Sequence, residues 1–392
     1  MSLWWVQREQ LDPHQIALIE RLPLRESFLI LGPPGSGKTN VLVRRAQFVR
    51  GQNMPNVLLL TFTRPLTEFV KTGCSDAQGR QIFPQNCVTT LESWQRSLYT
   101  QHGQALPVVA PGPNYLTEWK RQLATDALGF RGQHRLPQYD ALFIDEAQDL
   151  LPEEVALIAQ WSPVLFFVGD DRQRIYENTE GLPAVRRIVP TSHERLLPFH
   201  YRVAPEICQV ADRILLPQSG DSLASTAHYN GPRPARVTVT LQPLSKDRQL
   251  EITIGKLKEQ IRVYGDLIRQ GDRLGIIVAR KADRDLVFES LENDPILRGK
   301  SKIMRAKEDS DDEYDPSFDS EAPICILTVK GCKGLEFRAV HWLFADELSH
   351  YHNAEHYYTV VTRAKTSLDI SFTNTLPQIL ARAHSETGIT PW

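Results

Sequence analysis

The 392-residue sequence predicts an α/β fold of two domains, each built on a parallel sheet. Three observations carry this reading. Short apolar runs such as Phe28–Leu31, Asn56–Thr61, Ala141–Ile144, Val164–Val168, Leu274–Arg280 and Ile324–Val329 recur with room for a helix between them. Their ends are marked by Gly, Asp, Thr or Lys, which suits strands whose C-terminal loops carry function. The length allows two or three domains with real cores. We place the first domain at 1–195, with a small helical insertion near 97–138, and the second at 196–392.

The first run leads straight into Gly32-Pro-Pro-Gly35-Ser36-Gly37-Lys38-Thr39, a complete phosphate-loop pattern in a strand-then-helix setting. Gly35 and Gly37 let successive N–H groups wrap phosphate oxygens without a Cβ in the way. Lys38 would neutralise the β and γ oxygens, and Thr39 would offer its hydroxyl to Mg²⁺. A bare glycine turn before a helix is the alternative. Upstream, Asp12 and Pro13 open a helix, and Gln15 could pair with an adenine edge.

Composition restricts the partners. Hydrophobic content is 41%, charged content is 23% and the formal net charge is −2, so a nucleic acid would have to be held in a local groove. The five cysteines form no Cys-x-x-Cys pair, which argues against zinc ribbons and iron–sulfur clusters and suits a reducing cytoplasm. The first residues lack a secretory pattern and no run reaches membrane-spanning length, so the expectation is a cytoplasmic protein with no membrane partner.

Along the chain, Phe62 and Trp94 are expected at strand ends, where they could stack on bases or simply fill the core. Ala141–Ile144 runs into Asp145-Glu146-Ala147-Gln148-Asp149. Adjacent carboxylates at the end of a buried strand are costly unless a cation or proton chemistry uses them. Asp145 would hold Mg²⁺ through water and Glu146 would orient or deprotonate the attacking water. The third run ends in Gly169-Asp170-Asp171-Arg172-Gln173, with Gln173 in position to sense a γ-phosphate. The second domain begins near His200-Tyr201-Arg202. Lys246–Gln270 has helical periodicity ending at Gly271, and His341–Ala345 and Leu368–Phe372 read as strands flanking a helix at Glu355–Ala364. Glu308–Glu321 holds eight acids and no base and reads as a solvated loop. His350, His352 and His356 lack the acid or cysteine partners of a zinc site.

In order, Gln15, GPPGSGKT, Thr61-Phe62-Thr63, the Thr90/Ser93/Trp94 set, DEAQD, VGDDRQRIY, HYR at 200–202, KGLEF at 333–337 and VVTRA at 360–364 resemble the superfamily 1 helicases of the UvrD/Rep type over nearly the whole chain. The resemblance implies two RecA-like domains with ATP between them. Gln15, Gly35, Ser36, Gly37, Lys38, Thr39, Tyr201, Gly334 and Glu336 match nucleotide-binding positions, with Tyr201 stacking on adenine and Glu336 touching the ribose. Lys38, Asp145, Glu146, Gln173, Arg202 and Arg363 match catalytic positions, the two arginines reaching the γ-phosphate. Phe62, Thr63, Arg64, Thr90, Trp94, Thr328 and Lys330 match nucleic-acid contacts. The implied activity is ATP-driven movement on single-stranded DNA, 3′→5′, with RNA not excluded.

Three departures qualify the resemblance. An acidic loop stands where larger relatives insert a subdomain, Asn178 replaces a frequent aromatic, and Arg64-Pro65 and Glu92 replace the usual basic, amide and histidine residues. These motivate a second expectation, an ATPase switch that regulates a partner such as a nuclease in a repair or anti-phage assembly. No nuclease signature follows the last motif.

Overall fold

The computed structural model describes residues 5–6, 8–75, 80–112, 114–130, 139–172, 180–215, 221–305, 317–318, 321–348 and 353–385. They form two compact units, one holding residues 8–32 and 37–197, the other 5–6, 33–36 and 198–385. Each contains one six-stranded sheet in which every pairing is parallel. The α/β fold read from the sequence is therefore present in both halves, and two parallel sheets with interspersed helices are consistent with two RecA-like domains.

In the first unit, β1 (Phe28–Leu31), β2 (Val57–Thr61), β3 (Val88–Thr90), β4 (Ala141–Ile144), β5 (Leu165–Gly169) and β6 (Glu194–Leu196) lie in the order β3-β2-β4-β5-β1-β6. Strands β1, β2, β4 and β5 are buried at every residue, which is why they read as unbroken apolar runs. Helices on the sheet faces bury Val41, Leu42, Leu98, Leu123, Leu157 and Ile158. The helix Tyr115–Phe130, expected on a small insertion, packs against helices Leu91–Gln101 and Pro152–Trp161. It adds Trp119, Leu123, Ala124, Ala127 and Phe130 to the core, so it supports the sheet directly.

In the second unit, β7 (Arg236–Val239), β8 (Leu274–Val278), β9 (Ser301–Ile303), β10 (Ile324–Thr328), β11 (Phe337–Trp342) and β12 (Ala364–Ile370) run β7-β12-β11-β8-β10-β9. Several sequence expectations shift. The strand expected at Leu368–Phe372 runs from Ala364 to Ile370, and the helix expected at Glu355–Ala364 ends at Val361 because Ala364 joins that strand. The strand expected from His341 begins at Phe337, because Phe337 and Arg338 are drawn into pairing with β12 and β8. The single helix expected over 246–270 breaks at Tyr264 into Lys246–Val263 and Gly265–Arg269.

The acidic stretch 308–321 falls largely outside the described residues, as do Gln173, Asn178, His350 and His352. Among the described residues no group of three or more His, Cys, Asp or Glu could hold a metal ion, and no helix is long and apolar enough to cross a membrane. His356 is buried and its Nδ1 pairs with Asn353 Oδ1 at 2.6 Å, a helix-start contact.

Candidate functional site

The C-terminal ends of β1, β4 and β5 bring the first group of side chains together. After β1 the chain turns through Gly35 and Gly37, both with positive φ (+74° and +84°), before the helix Lys38–Gly51. Left-handed backbone suits glycine. At Gly37 a Cβ would also lie 2.7 Å from Gln15 Nε2. Gln15 is buried on the first turn of helix Pro13–Glu20, where its Oε1 accepts from the Asp12 N–H at 3.2 Å and its own N–H donates to Asp12 Oδ1 at 2.9 Å. This capping box fixes the glutamine against the loop.

Lys38 Nζ donates to Gly32 O at 2.7 Å and lies 3.8 Å from Asp170 Oδ2. Thr39 Oγ1 donates to Asp145 Oδ2 at 2.9 Å, and Asp145 Oδ1 accepts from the Glu146 N–H at 2.9 Å. Asp145 is 3% exposed. Burial pushes its carboxyl up to about 7, neighbouring Glu146 adds to this, and Thr39, the Glu146 N–H and Lys38 oppose it. Burial likewise raises Asp170 against the pull of Lys38. Two buried carboxylates beside one lysine suit a cation. The hydroxyl–carboxylate pair of Thr39 and Asp145 supplies the hard oxygens Mg²⁺ takes when water and phosphate complete its shell. When bound, the metal would supply positive charge against phosphate oxygens.

Glu146 adopts left-handed backbone (φ +54°), uncommon for a side-chain-bearing residue and typical of functional turns. Its carboxylate accepts from Gln148 Nε2 at 2.5 Å. The turn beneath it is packed from below by Gly181, where a Cβ would stand 2.2 Å from Ala147 O and 2.9 Å from Leu150 N.

The second unit holds its own charged group. Arg202 Nη1 pairs with Glu336 Oε2 at 3.1 Å, after the turn in which Gly334 has φ +75°. Arg363 is 3% exposed and donates within its own unit, to Thr359 O at 2.9 Å, Leu335 O at 3.0 Å and Thr362 Oγ1 at 3.2 Å. Burial raises the Glu336 carboxyl, but Arg202, Lys365 and Arg363 outweigh it and hold it below its ordinary value. Tyr201 is half-buried, its ring edge-on to His228 at 5.9 Å.

The expected nucleic-acid residues divide. Phe62 is half-buried just past β2, with Lys120 Nζ 4.6 Å from its ring centroid, and Arg64 is exposed at the head of helix Arg64–Thr72. Thr63 and Thr90 serve as N-caps, accepting from Leu66 N at 3.3 Å and Ser93 N at 3.0 Å. Thr328 is half-buried, accepting from Gly331 N at 3.4 Å, and Lys330 is exposed. Trp94 follows the second of its two readings. It lies on helix Leu91–Gln101, past the end of β3, is 3% exposed and meets Trp161 edge-on at 6.0 Å, so its ring belongs to the core.

Sequence reasoning missed three buried groups: Gln148, Asp170 and the cluster in which Asp272 receives Lys365 Nζ and Arg338 Nη2, each at 2.6 Å. Gln148 was visible as a polar residue two after Glu146, but nothing in the sequence revealed its partners.

With this geometry in view, comparison with known proteins is informative. A family model described as an AAA domain matches residues 15–179, and one described as a UvrD-like helicase C-terminal domain matches residues 323–370. The two matches together support a UvrD/Rep-like superfamily 1 helicase. The chain is 37% identical over 81 residues to F-box DNA helicase 1 of Gallus gallus, a match covering 21% of this chain and 8% of that protein's length. Among solved structures it is similar to the C-terminal domain of a possible DNA helicase from Lactobacillus plantarum, at 20% identity over 47% of this chain and 95% of that one, with a TM-score of 0.32. It is also similar to the PRRSV helicase, at 14% identity over 92% of this chain and 54% of that one, with a TM-score of 0.42. Domains of this helicase type imply nucleotide binding with a divalent metal and point to nucleic acid as a partner.

Proposed function

We propose that the protein hydrolyses ATP with Mg²⁺ and uses the energy to move on single-stranded DNA, in the 3′→5′ sense and without the large inserted subdomain of bigger relatives. The observation that carries the reading is the juxtaposition of Lys38, the Thr39–Asp145 pair at 2.9 Å and Glu146 past the ends of β1 and β4, the two strands that flank β5. Lys38 binds the β and γ phosphates, Thr39 and Asp145 would hold Mg²⁺, which would supply charge neutralisation, and Glu146 orients the attacking water. Arg202 and Arg363 are the residues we assign to terminal-phosphate charge, with Gln173 as sensor. Tyr201, Gly334 and Glu336 serve the base and ribose side. Phe62, Arg64, Thr328 and Lys330 are the strand-contacting residues.

Magnesium-dependent ATPase measurements with and without a single-stranded oligonucleotide test this. Glu146→Gln is expected to bind ATP normally and to lose turnover by roughly 10²–10⁴-fold, the usual worth of a general base. Wild-type-like turnover in that variant removes the assignment.

A second reading has a specific observation behind it. Trp94 is buried and Glu92 is engaged with Arg96 at 2.8 Å, which leaves fewer base-stacking groups than the first reading would like. The protein would then act as a nucleic-acid-stimulated ATPase switch on a partner such as a nuclease in a repair or defence complex. Robust stimulated ATPase with no strand displacement at low salt favours the switch, and displacement favours the motor.

A further inference from the structure

We propose that Gln148 is a positioning residue that ties the water-orienting carboxylate of Glu146 to the end of β5. The proposal rests on the role assigned to Glu146 above.

Gln148 is fully buried, and both ends of its amide are used. Nε2 donates to Glu146 Oε2 at 2.5 Å, and Oε1 accepts from the Asp170 N–H at 3.0 Å. These partners fix the orientation of the amide. An ionised carboxylate only accepts and a backbone N–H only donates, so turning the amide over would lose both bonds. The approach is close enough to exclude a side chain at the end of β5, because a Cβ at Gly169 would lie 2.9 Å from Gln148 Oε1. Glu146 sits on left-handed backbone at the head of the three-residue turn Ala147–Asp149 that carries Gln148, so the two side chains share one turn.

The other end of the bridge gives it meaning. Asp170 places its own carboxylate 3.8 Å from Lys38 Nζ and accepts from the Arg172 N–H at 3.0 Å. One amide therefore joins the carboxylate that orients water to the segment that faces the phosphate-binding lysine. Movement of residues 170–172 passes through Gln148 to Glu146, so hydrolysis depends on the state of the chain after β5.

Two variants attack the bridge from opposite sides. Gln148→Met keeps nearly the same volume and removes both hydrogen bonds. Gly169→Ala leaves the glutamine in place and pushes its Oε1 aside with one methyl. Both are expected to lower kcat by about 10- to 100-fold, the scale set by misplacing a reacting group. The Kd for a fluorescent ATP analogue should stay within about twofold of wild type, and nucleic-acid stimulation of the ATPase should shrink. Unchanged kcat in folded Gly169→Ala overturns the proposal, whether or not Gln148→Met folds. So does a parallel loss of nucleotide affinity and turnover in both variants, which marks a packing role only. The reading of Glu146 fails separately, if Glu146→Gln turns over like wild type.

Discussion

Asp145 and Asp272 are both carboxylates buried beside a parallel sheet, one in each unit, yet they titrate in opposite directions. Asp145 faces a hydroxyl and a second acid, and burial together with Glu146 lifts its carboxyl to about 7. Burial also pushes Asp272 up, but Lys365 and Arg338 outweigh it and hold the group below the ordinary carboxylate value. Lys365 is itself depressed to about 8 by burial, against the pull of Asp272. The first unit thus sets acids that resist ionisation together at its strand ends, and the second sets Arg202, Arg338, Arg363 and Lys365 beside Glu336 and Asp272. A structural ion cluster is complete without a ligand. A site meant for a metal and a polyanion is left wanting until they arrive.

That contrast can be broken most forcefully at Asp272. Asp272→Ala strands two buried cations and is expected to lower unfolding free energy by about 3–5 kcal/mol in urea titrations. The pH dependence has a definite sign. Because the folded carboxyl lies below its unfolded value, its stabilisation is present above about pH 4 and is lost as pH falls through the folded value. The gap between wild type and Asp272→Asn should therefore close on acidification. A gap that widens toward low pH contradicts the assignment.

The nucleic-acid face comes next in size. Phe62→Ala is expected to weaken single-strand binding by about 1–3 kcal/mol, the worth of one stacked base, in fluorescence titrations at fixed salt.

Asp145→Asn should act in the opposite sense to Asp272. Removing a buried acid whose ionisation is disfavoured is expected to raise nucleotide-free stability by on the order of 1 kcal/mol at pH 8 while abolishing Mg²⁺-dependent turnover. The folded chain holds a proton that the unfolded chain releases from about pH 4 upward, so this gain should fade toward pH 5. The smallest effect is expected at Trp94. Trp94→Phe should leave single-strand affinity within about twofold, since the ring lies in the core and base stacking needs an exposed face.

Much of this architecture was legible in the chain. Strands β1, β2, β4 and β5 are buried on both faces and so cannot tolerate alternation, which makes them stand out as apolar runs ending in glycine, threonine or acid. The phosphate loop was legible because its backbone needs glycine at 35 and 37. What stayed hidden depends on direction rather than composition. Nothing in the order of residues told Phe62, which points toward Lys120, from Trp94, which turns inward against Trp161. Arg338 and Lys365 looked like surface charge. The pairing of β11 with both β12 and β8 brings them beside Asp272. Helix Tyr115–Phe130 was read as peripheral because its flanks are rich in Gly, Pro and Gln, although its own apolar stripe serves the core.

Gly181 sits at the foot of the helix Gly181–Ile188, far along the chain from the phosphate loop, and its α-carbon is wedged against the main chain of residues 147 and 150. Even alanine there would strike main-chain atoms that cannot rotate out of the way. A saturation library selected for ATP turnover should therefore tolerate no replacement at position 181, and a survey ranked by chemistry alone would mistake a spacer for a reagent.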